Sequence, residues 1–177
     1  MACKIRRALL CIMTAAVLMC AACATSGVDR DAPRWMNSPP RSKTKLYAAA
    51  AASGEDTAAA IIKAKQNTRN SIFPKAFEIT FKTLEGFEKK QQAEIFGLEL
   101  IVLIAYQSAN EILLFVQDEE QYISENGTCY ILSFVEYDRI YGIIEEVAVL
   151  NQKDGTGTLS DAKKSLLRSS FNEAITN

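Results

Sequence analysis

The sequence predicts a mixed α+β fold, and three local patterns support that prediction. An Asn-Gly pair at 126–127 lies between two runs rich in β-branched and aromatic residues, which is typical of an antiparallel hairpin. Apolar residues at three- and four-residue spacing across residues 55–73 predict a long amphipathic helix. A small-residue apolar run at 46–52, directly before a helix-start signal, is a candidate for a further strand.

Residues 1–22 have the layout of a secretory signal peptide. A basic leader with Lys4, Arg6 and Arg7 precedes an uncharged apolar segment at residues 8–18, and small residues follow. The apolar segment is shorter than the ~20 residues that a membrane-spanning helix needs. We therefore expect this segment to direct export.

Cys23 is the predicted lipidation site. The segment resembles a bacterial lipoprotein signal, in which a large aliphatic residue and one or two small residues precede the cysteine. Here Ala21-Ala22 precede Cys23, and Cys20 stands in place of the aliphatic residue. A diacylglycerol on the thiol supplies two acyl chains, which anchor a protein stably. Ala24, rather than Asp, after the cysteine favours the outer membrane. An ordinary secretory signal that ends near cysteines is the alternative.

The composition limits the chemistry expected of the mature chain. The full chain has 20 basic and 21 acidic residues; the signal removes three basic ones, so 17 face 21 and the net charge becomes −4. This balance gives no reason to expect nucleic acid or anionic lipid as a partner. The chain has no histidine, the commonest general base and metal ligand. We expect no catalytic site, metal or cofactor.

Residues 23–44 are predicted to be a lipidated cysteine followed by a flexible tether. Three of the four prolines lie here among polar residues, and such a segment buries too little apolar surface to fold alone. Trp35, the only tryptophan, either docks on the domain or lies at the membrane interface. The tether length favours docking.

Residues 45–150 are predicted to form the α+β domain. The strand at 46–52 would end before Ser53, which with Asp56 forms a weak capping box for the long helix. The helix face predicted to be apolar consists of Ala58, Ile61, Ile62, Lys65, Thr68, Ile72 and Phe73. Pro74 should break or kink the helix. Beyond it, residues 77–87 suit either a helix or a strand, and we favour a helix.

Two further helices are predicted in the domain, at 98–116 and 140–150. The first has an apolar face of Leu98, Ile101, Val102, Ala105, Ala109, Ile112 and Val116. Polar residues such as Glu99 and Glu111 interrupt the run, which indicates a buried helix of a soluble domain rather than a membrane span.

The hairpin is predicted to have a two-residue Asn126-Gly127 turn. In that register Glu125 faces Thr128 and Ile123 faces Tyr130, and the second strand extends to Tyr137.

Residues 151–177 are predicted to be a C-terminal loop and helix. Thr158 or Ser160 would cap this helix, whose apolar face is Ala162, Leu166, Phe171 and Ala174.

Several reactive groups can be weighed as candidate sites. Acidic residues cluster at 118–120 and at 145–146, where solvated surface charge is the more common outcome. Ser165 neighbours Lys164, but no strained nucleophile turn surrounds the pair. Cys129 lies within a predicted strand and has no flanking cation. We therefore expect it to be a small buried hydrophobic residue rather than a reactive thiol. The aromatic set Tyr122, Tyr130, Phe134 and Tyr137 is expected to form core and cross-strand packing rather than a ligand site.

Taken together, the motifs resemble the lipoprotein twenty (Lpp-twenty) family of bacterial envelope lipoproteins. They are a lipobox, Pro-x-Trp before Pro39-Pro40, Tyr47 in a small-residue strand, an alanine-rich helix, and the Asn-Gly-Thr-x-Tyr-Ile-Leu strand. The resemblance covers about residues 33–144. It implies a dodecin-like domain, with an antiparallel sheet of the first strand and the 121–137 hairpin under the long helix. The family usually has a glycine in the first strand, where this chain has alanines, and it supplies no catalytic residues.

The sequence thus predicts a membrane-anchored envelope lipoprotein whose non-catalytic domain mediates interaction or assembly. Its expected partners are the membrane, through the anchor, and other envelope proteins or a second copy. The alternative is a carrier for a small hydrophobic ligand, enclosed by the 98–116 helix and the hairpin. An enzyme would need a pocket that holds a desolvated carboxylate.

Overall fold

The computed structural model describes residues 31–151 and 158–176, so Cys23, the predicted signal and the loop at 152–157 lie outside the described residues. From Pro33 onward the chain forms one compact unit. The elements are α1 (Arg34–Asn37), β1 (Lys45–Ala52), α2 (Thr57–Gln91), α3 (Leu98–Ile112), a 3-10 turn (Leu113–Phe115), β2 (Gln117–Ile123), β3 (Cys129–Glu136), α4 (Tyr137–Leu150) and α5 (Asp161–Thr176). The predicted α+β class is confirmed.

The strands form an antiparallel sheet in the order β1-β3-β2, as expected for a first strand added to a hairpin. β1 pairs with β3 from Lys45 opposite Glu136 to Ala52 opposite Cys129. β3 lies in the centre and is buried at every position but its last. One face of the sheet packs against α2, so the long helix covers the sheet as predicted.

Small residues allow α2 to approach the sheet closely. Ala60 and Ala64 of the helix are fully buried in a cluster with Ala52, Cys129 and Ile131. In the first turns of α2 the buried stripe therefore runs through alanines, and larger residues such as Ile72 join it further along the helix. The expectation that Ala58 and Ile62 face the core is wrong: both are exposed, Ile62 by 69%.

The helix α2 continues through Pro74, so this proline does not break it. Proline removes one backbone hydrogen bond, but Ile72 and Ala76 on either side are fully buried in the main core. That packing holds the helical path. Residues 77–87 are accordingly helical, as favoured from the sequence.

The start of α2 differs from the predicted cap. Asp56 is the N-cap, and its carboxylate accepts a hydrogen bond from the Ala59 amide at 2.8 Å. The Ser53 hydroxyl instead lies 3.1 Å from the Thr128 hydroxyl, which ties the end of β1 to the hairpin loop. Ser53 is therefore not the capping residue.

The hairpin exists, but its predicted register is wrong by one residue. Ile123 pairs with Cys129 and Tyr122 with Tyr130, because the loop contains three residues rather than two. The Ser124 amide donates to the Thr128 carbonyl at 2.9 Å, and Gly127 adopts a positive φ of 79°. A turn closed by a left-handed glycine is the usual three-residue loop. The second strand ends at Glu136, directly before α4.

The helices α3 and α5 both pack against α2 and α4. α4 begins at Tyr137, three residues earlier than predicted. α5 begins at Asp161; of the two proposed caps, Ser160 is the one whose hydroxyl accepts from the Lys163 amide, at 3.5 Å. Ala162 is exposed, whereas Leu167 and Phe171 are buried.

The segment before β1 packs on the sheet. The short helix α1 lies against β1 and β3, and Trp35 is half-buried, which favours docking on the domain. The Thr44 carbonyl accepts a hydrogen bond from the Tyr137 amide at 2.8 Å. This contact fixes the end of the segment beside the start of α4.

Candidate interaction surface

The inner face of α3 belongs to the main core. Its buried residues recur at helical spacing and are Ile101, Ile104, Ala105, Ser108, Ala109 and Ile112. They contact α2 on one side and α4 on the other. Burying Ile104 and Ile112 completely stabilises the fold by roughly 1.5–3 kcal/mol per side chain.

The opposite side of α3 is also apolar, and it is exposed to solvent. Leu98 is 68% exposed, Val102 42%, Leu103 46% and Tyr106 56%. We call these four residues the α3 outer face. The prediction that Leu98 and Val102 belong to the buried stripe is wrong, because the helix carries apolar residues around most of its circumference and the core takes only one side.

The α3 outer face has no charge at its centre. Glu99, Gln107 and Asn110 are the exposed polar residues of α3, and of these only Glu99, near the start of the helix, is charged. The Tyr106 ring is held at one edge by Phe73 of α2, with ring centroids 5.7 Å apart in an edge-to-face arrangement. This contact orients the tyrosine without burying it.

The outer side of α5 provides a contrast within the same fold. Apart from Ala162, its exposed residues are polar. A shallow groove of about 690 Å³ on this side is lined by Ser165, Arg168, Ser169, Asn172, Glu173 and Thr176. Lys90 of α2 crosses to this helix, and its ammonium pairs with the Glu173 carboxylate at 2.8 Å.

The segment Leu98–Phe115 is long and apolar enough, by length and composition, to cross a membrane; about a third of it is buried inside the domain. A core helix passes the same test. Packing in the core explains why the inner face of α3 is apolar. It does not explain why the α3 outer face is apolar as well.

Two of the three acidic residues on β2, Asp118 and Glu119, are paired with cations. The Glu119 carboxylate accepts hydrogen bonds from Lys45, at 2.8 Å, and from the Tyr47 hydroxyl, at 2.9 Å. Both hydrogen bonds lower the pKa of Glu119, and the bond from Lys45 has the larger effect. Asp118 pairs with Lys65 at 2.8 Å and accepts from the Ser133 hydroxyl. They therefore brace the sheet rather than converge on a reaction centre.

The remaining reactive groups are not assembled into a site. Cys129 is fully buried, and burial raises the pKa of its thiol, although the nearby charge of Lys65 acts in the opposite direction. Lys164 pairs with Glu145 at 3.0 Å, which leaves Ser165 without a base beside it. Across residues 31–151 and 158–176 no group of three acidic or cysteine side chains could hold a metal ion.

The predicted aromatic set separates into two places. Tyr122 and Tyr130 face each other across the hairpin with centroids 6.0 Å apart, and Phe134 packs against Tyr47 at 5.9 Å. Tyr137 lies on α4 and meets Phe171 edge-to-face at 6.3 Å. These are packing contacts, as expected from the sequence.

Four surface cavities in the described part of the chain lie on α5, between α4 and the 158–164 segment, at the 88–98 turn, and beside residues 39–47. None of these four joins α3 to the hairpin. A carrier would need an enclosed apolar cavity between these elements. None of these four cavities meets that requirement.

No family model matches this chain, and neither a curated protein nor a solved structure shows significant similarity to it.

Proposed function

We propose that this chain is a bacterial envelope lipoprotein, anchored through an acylated Cys23, whose α+β domain assembles through the α3 outer face. The observation that carries the proposal is the exposure of Leu98, Val102, Leu103 and Tyr106 on a helix whose other side already completes the core. A contiguous exposed apolar patch is a common mark of an interaction site. No reaction is proposed.

The partner we propose is a second copy of this chain. A two-fold interface brings the same surface of both subunits together, so like charges at its centre would oppose association. The centre of the α3 outer face is uncharged. In an antiparallel pair of α3 helices centred near Ile104, Glu99 of one copy would lie opposite the Asn110 region of the other, where the side chain is neutral. Tyr106 and its aliphatic neighbours are residue types that anchor interfaces.

The signal layout and the resemblance to the lipoprotein twenty family are the support for the envelope location. Metabolic labelling with a clickable palmitate tests the anchor. We expect label and membrane retention for the native chain, and loss of both in the Cys23→Ala variant. Absence of label on the native chain would contradict the anchor.

Crosslinking tests the assembly in the same cells. Leu103→Cys places a thiol on the α3 outer face, whereas Ser169→Cys places one on the polar side of α5. Cys129 is buried and should contribute little background. With a short, membrane-permeant bismaleimide, we expect a crosslinked pair of this chain from Leu103→Cys alone. Monomer only, or equal crosslinking of both variants, would contradict self-association through α3.

A further inference from the structure

A groove runs beside the segment that leads into β1. Its walls come from that segment, from β1, and from single residues of α2, α4 and α5, and its volume is about 410 Å³. The lining residues are Pro39, Pro40, Arg41, Ser42, Lys45, Leu46, Tyr47, Lys75, Tyr137 and Ile175. We call this the β1 groove.

The β1 groove concentrates positive charge. Arg41, Lys45 and Lys75 line it, and no acidic residue does. The full chain, by contrast, has 21 acidic and 20 basic residues. The near-neutral composition gave no reason to expect an anionic partner, but the fold gathers three cations from distant parts of the sequence around one concave surface. Such a surface attracts an anion.

Donor groups remain available in the β1 groove. Within the described residues Arg41 makes no hydrogen bond or ion pair, so its five N–H donors are free. The Lys75 ammonium donates to the Tyr47 carbonyl at 3.0 Å, which leaves two of its three protons. Lys45 is different, because its ammonium is held by Glu119 and lies 3.7 Å from the centroid of the Phe134 ring. Arg41 and Lys75 are therefore the residues that could bind a ligand.

Part of the remaining wall is apolar, beside Ser42, Tyr47 and Tyr137. Pro39 and Pro40 face the groove from one side, and Leu46 and Ile175 contribute aliphatic carbon. A small hydrated anion would use only the cations. An anion attached to a hydrocarbon body would use both parts of the lining.

The length of the connecting chain limits how far the β1 groove can lie from the proposed membrane anchor. Pro33, where the compact unit begins, lies ten positions after Cys23, and a fully extended chain of that length spans at most about 35 Å. The groove wall starts six residues later, at Pro39. A lipid anchor at Cys23 would therefore hold this side of the domain within reach of phospholipid headgroups.

We propose that the β1 groove binds the phosphate of an anionic phospholipid, with Arg41 and Lys75 on the phosphate oxygens and the apolar wall against the glycerol and upper acyl chain. Guanidinium pairs with phosphate through two parallel hydrogen bonds, and an ammonium adds a point charge. The identity of the ligand rests on the proposed envelope function, because that function places phospholipid beside the groove. The anchor would tether the domain to the membrane without fixing its orientation, and the groove would set that orientation.

Vesicle flotation of the chain from residue 23 with Cys23→Ala tests this without the anchor. We expect binding to vesicles that contain phosphatidylglycerol and little binding to pure phosphatidylcholine. The Arg41→Gln/Lys75→Gln variant should lose about tenfold to thirtyfold in vesicle affinity, since each cation near an anionic surface contributes about 1 kcal/mol. Inorganic phosphate should displace the native chain more effectively than chloride at equal ionic strength.

The matched control is Lys63→Gln/Arg69→Gln. Both residues are exposed on α2, away from the lining of the β1 groove, and the change in net charge is the same. Equal loss in both double variants would mean diffuse attraction and would overturn the proposal. So would equal binding to both vesicle types, failure of phosphate to compete, or no binding at all. A failed anchor would appear as missing palmitate label with vesicle binding unchanged, so the two results are distinguishable.

Discussion

The helices α3 and α5 both pack on α2 and α4, yet their outer sides differ. Each buries one stripe of residues. The outer side of α5 is polar, with exposed Ser165, Ser169 and Asn172. The outer side of α3 exposes Val102 and Tyr106 by 42% and 56%.

The difference shows which part of α3 the fold explains. α5 demonstrates that a helix in this position can be stable with a polar surface. The buried stripe of α3 accounts for its attachment to the core, and an apolar outer side adds nothing to that attachment. Its exposure is a cost to solubility that an interface would offset.

The largest expected effect is a loss of stability when a buried residue on the inner face of either helix is truncated. Ile104 on α3 and Leu167 on α5 are both almost completely buried, at 0% and 1% exposure. Each change to alanine should destabilise the fold by about 2–5 kcal/mol, because a cavity remains. Urea unfolding measures this. A loss below about 1 kcal/mol at either site would show that its helix is only loosely attached.

A smaller effect should appear in the pH dependence of the unfolding free energy, through a contact beside α5. Tyr141 lies beside α5, where its hydroxyl donates to the Lys164 carbonyl at 3.3 Å. Burial is the larger cause that raises the pKa of Tyr141 from 10.0 to about 12, and the charge of Glu145 is the second. A raised pKa means that its contribution is complete below pH 10 and is lost as pH rises toward 12. Since the ring is partly exposed, we expect a loss of about 1–2 kcal/mol.

The matched control for that experiment is Tyr141→Phe. The slope of unfolding free energy against pH above 10 should be shallower in this variant than in the native chain. Identical slopes would show that Tyr141 is not responsible.

The smallest expected effect compares two buried serines. The Ser108 hydroxyl on α3 has no hydrogen-bond partner, whereas the Ser170 hydroxyl on α5 donates to the Leu166 carbonyl at 3.0 Å. Ser108→Ala should therefore stabilise the domain by about 1 kcal/mol, and Ser170→Ala should be neutral or destabilising by about 0.5–1 kcal/mol. Thermal unfolding of both variants measures the difference. Equal effects would imply that Ser108 finds a partner in solution.

The sequence predicted those features that depend on neighbouring residues. The Asn126-Gly127 pair located the hairpin, and the periodicity around residues 55–73 located α2. Register was missed, because Asn-Gly fits both a two-residue and a three-residue loop, and only the paired strands decide between them. The continuity of α2 at Pro74 was missed since it depends on core contacts from other elements.

The candidate surfaces were harder to predict for the same reason. Leu98 and Val102 fit an apolar stripe as well as Ile101 does, so periodicity could not choose which side of α3 faces the core. Arg41 and Lys75 come from different elements, and only the packed fold brings them to one groove. Cys23 depends on a local signal and remains a prediction.

The molar mass of the domain in solution tests the central claim most directly. We would measure it by light scattering over a range of concentrations, for the chain from residue 23 with Cys23→Ala and for the same chain with Val102→Glu and Tyr106→Glu. A second control would carry Ser169→Glu and Asn172→Glu on α5, so that the added charge is equal. The account predicts dimers for the parent and the α5 variant and monomers for the α3 variant. A parent chain that stays monomeric at every concentration, or an α3 variant that still dimerises, would contradict it.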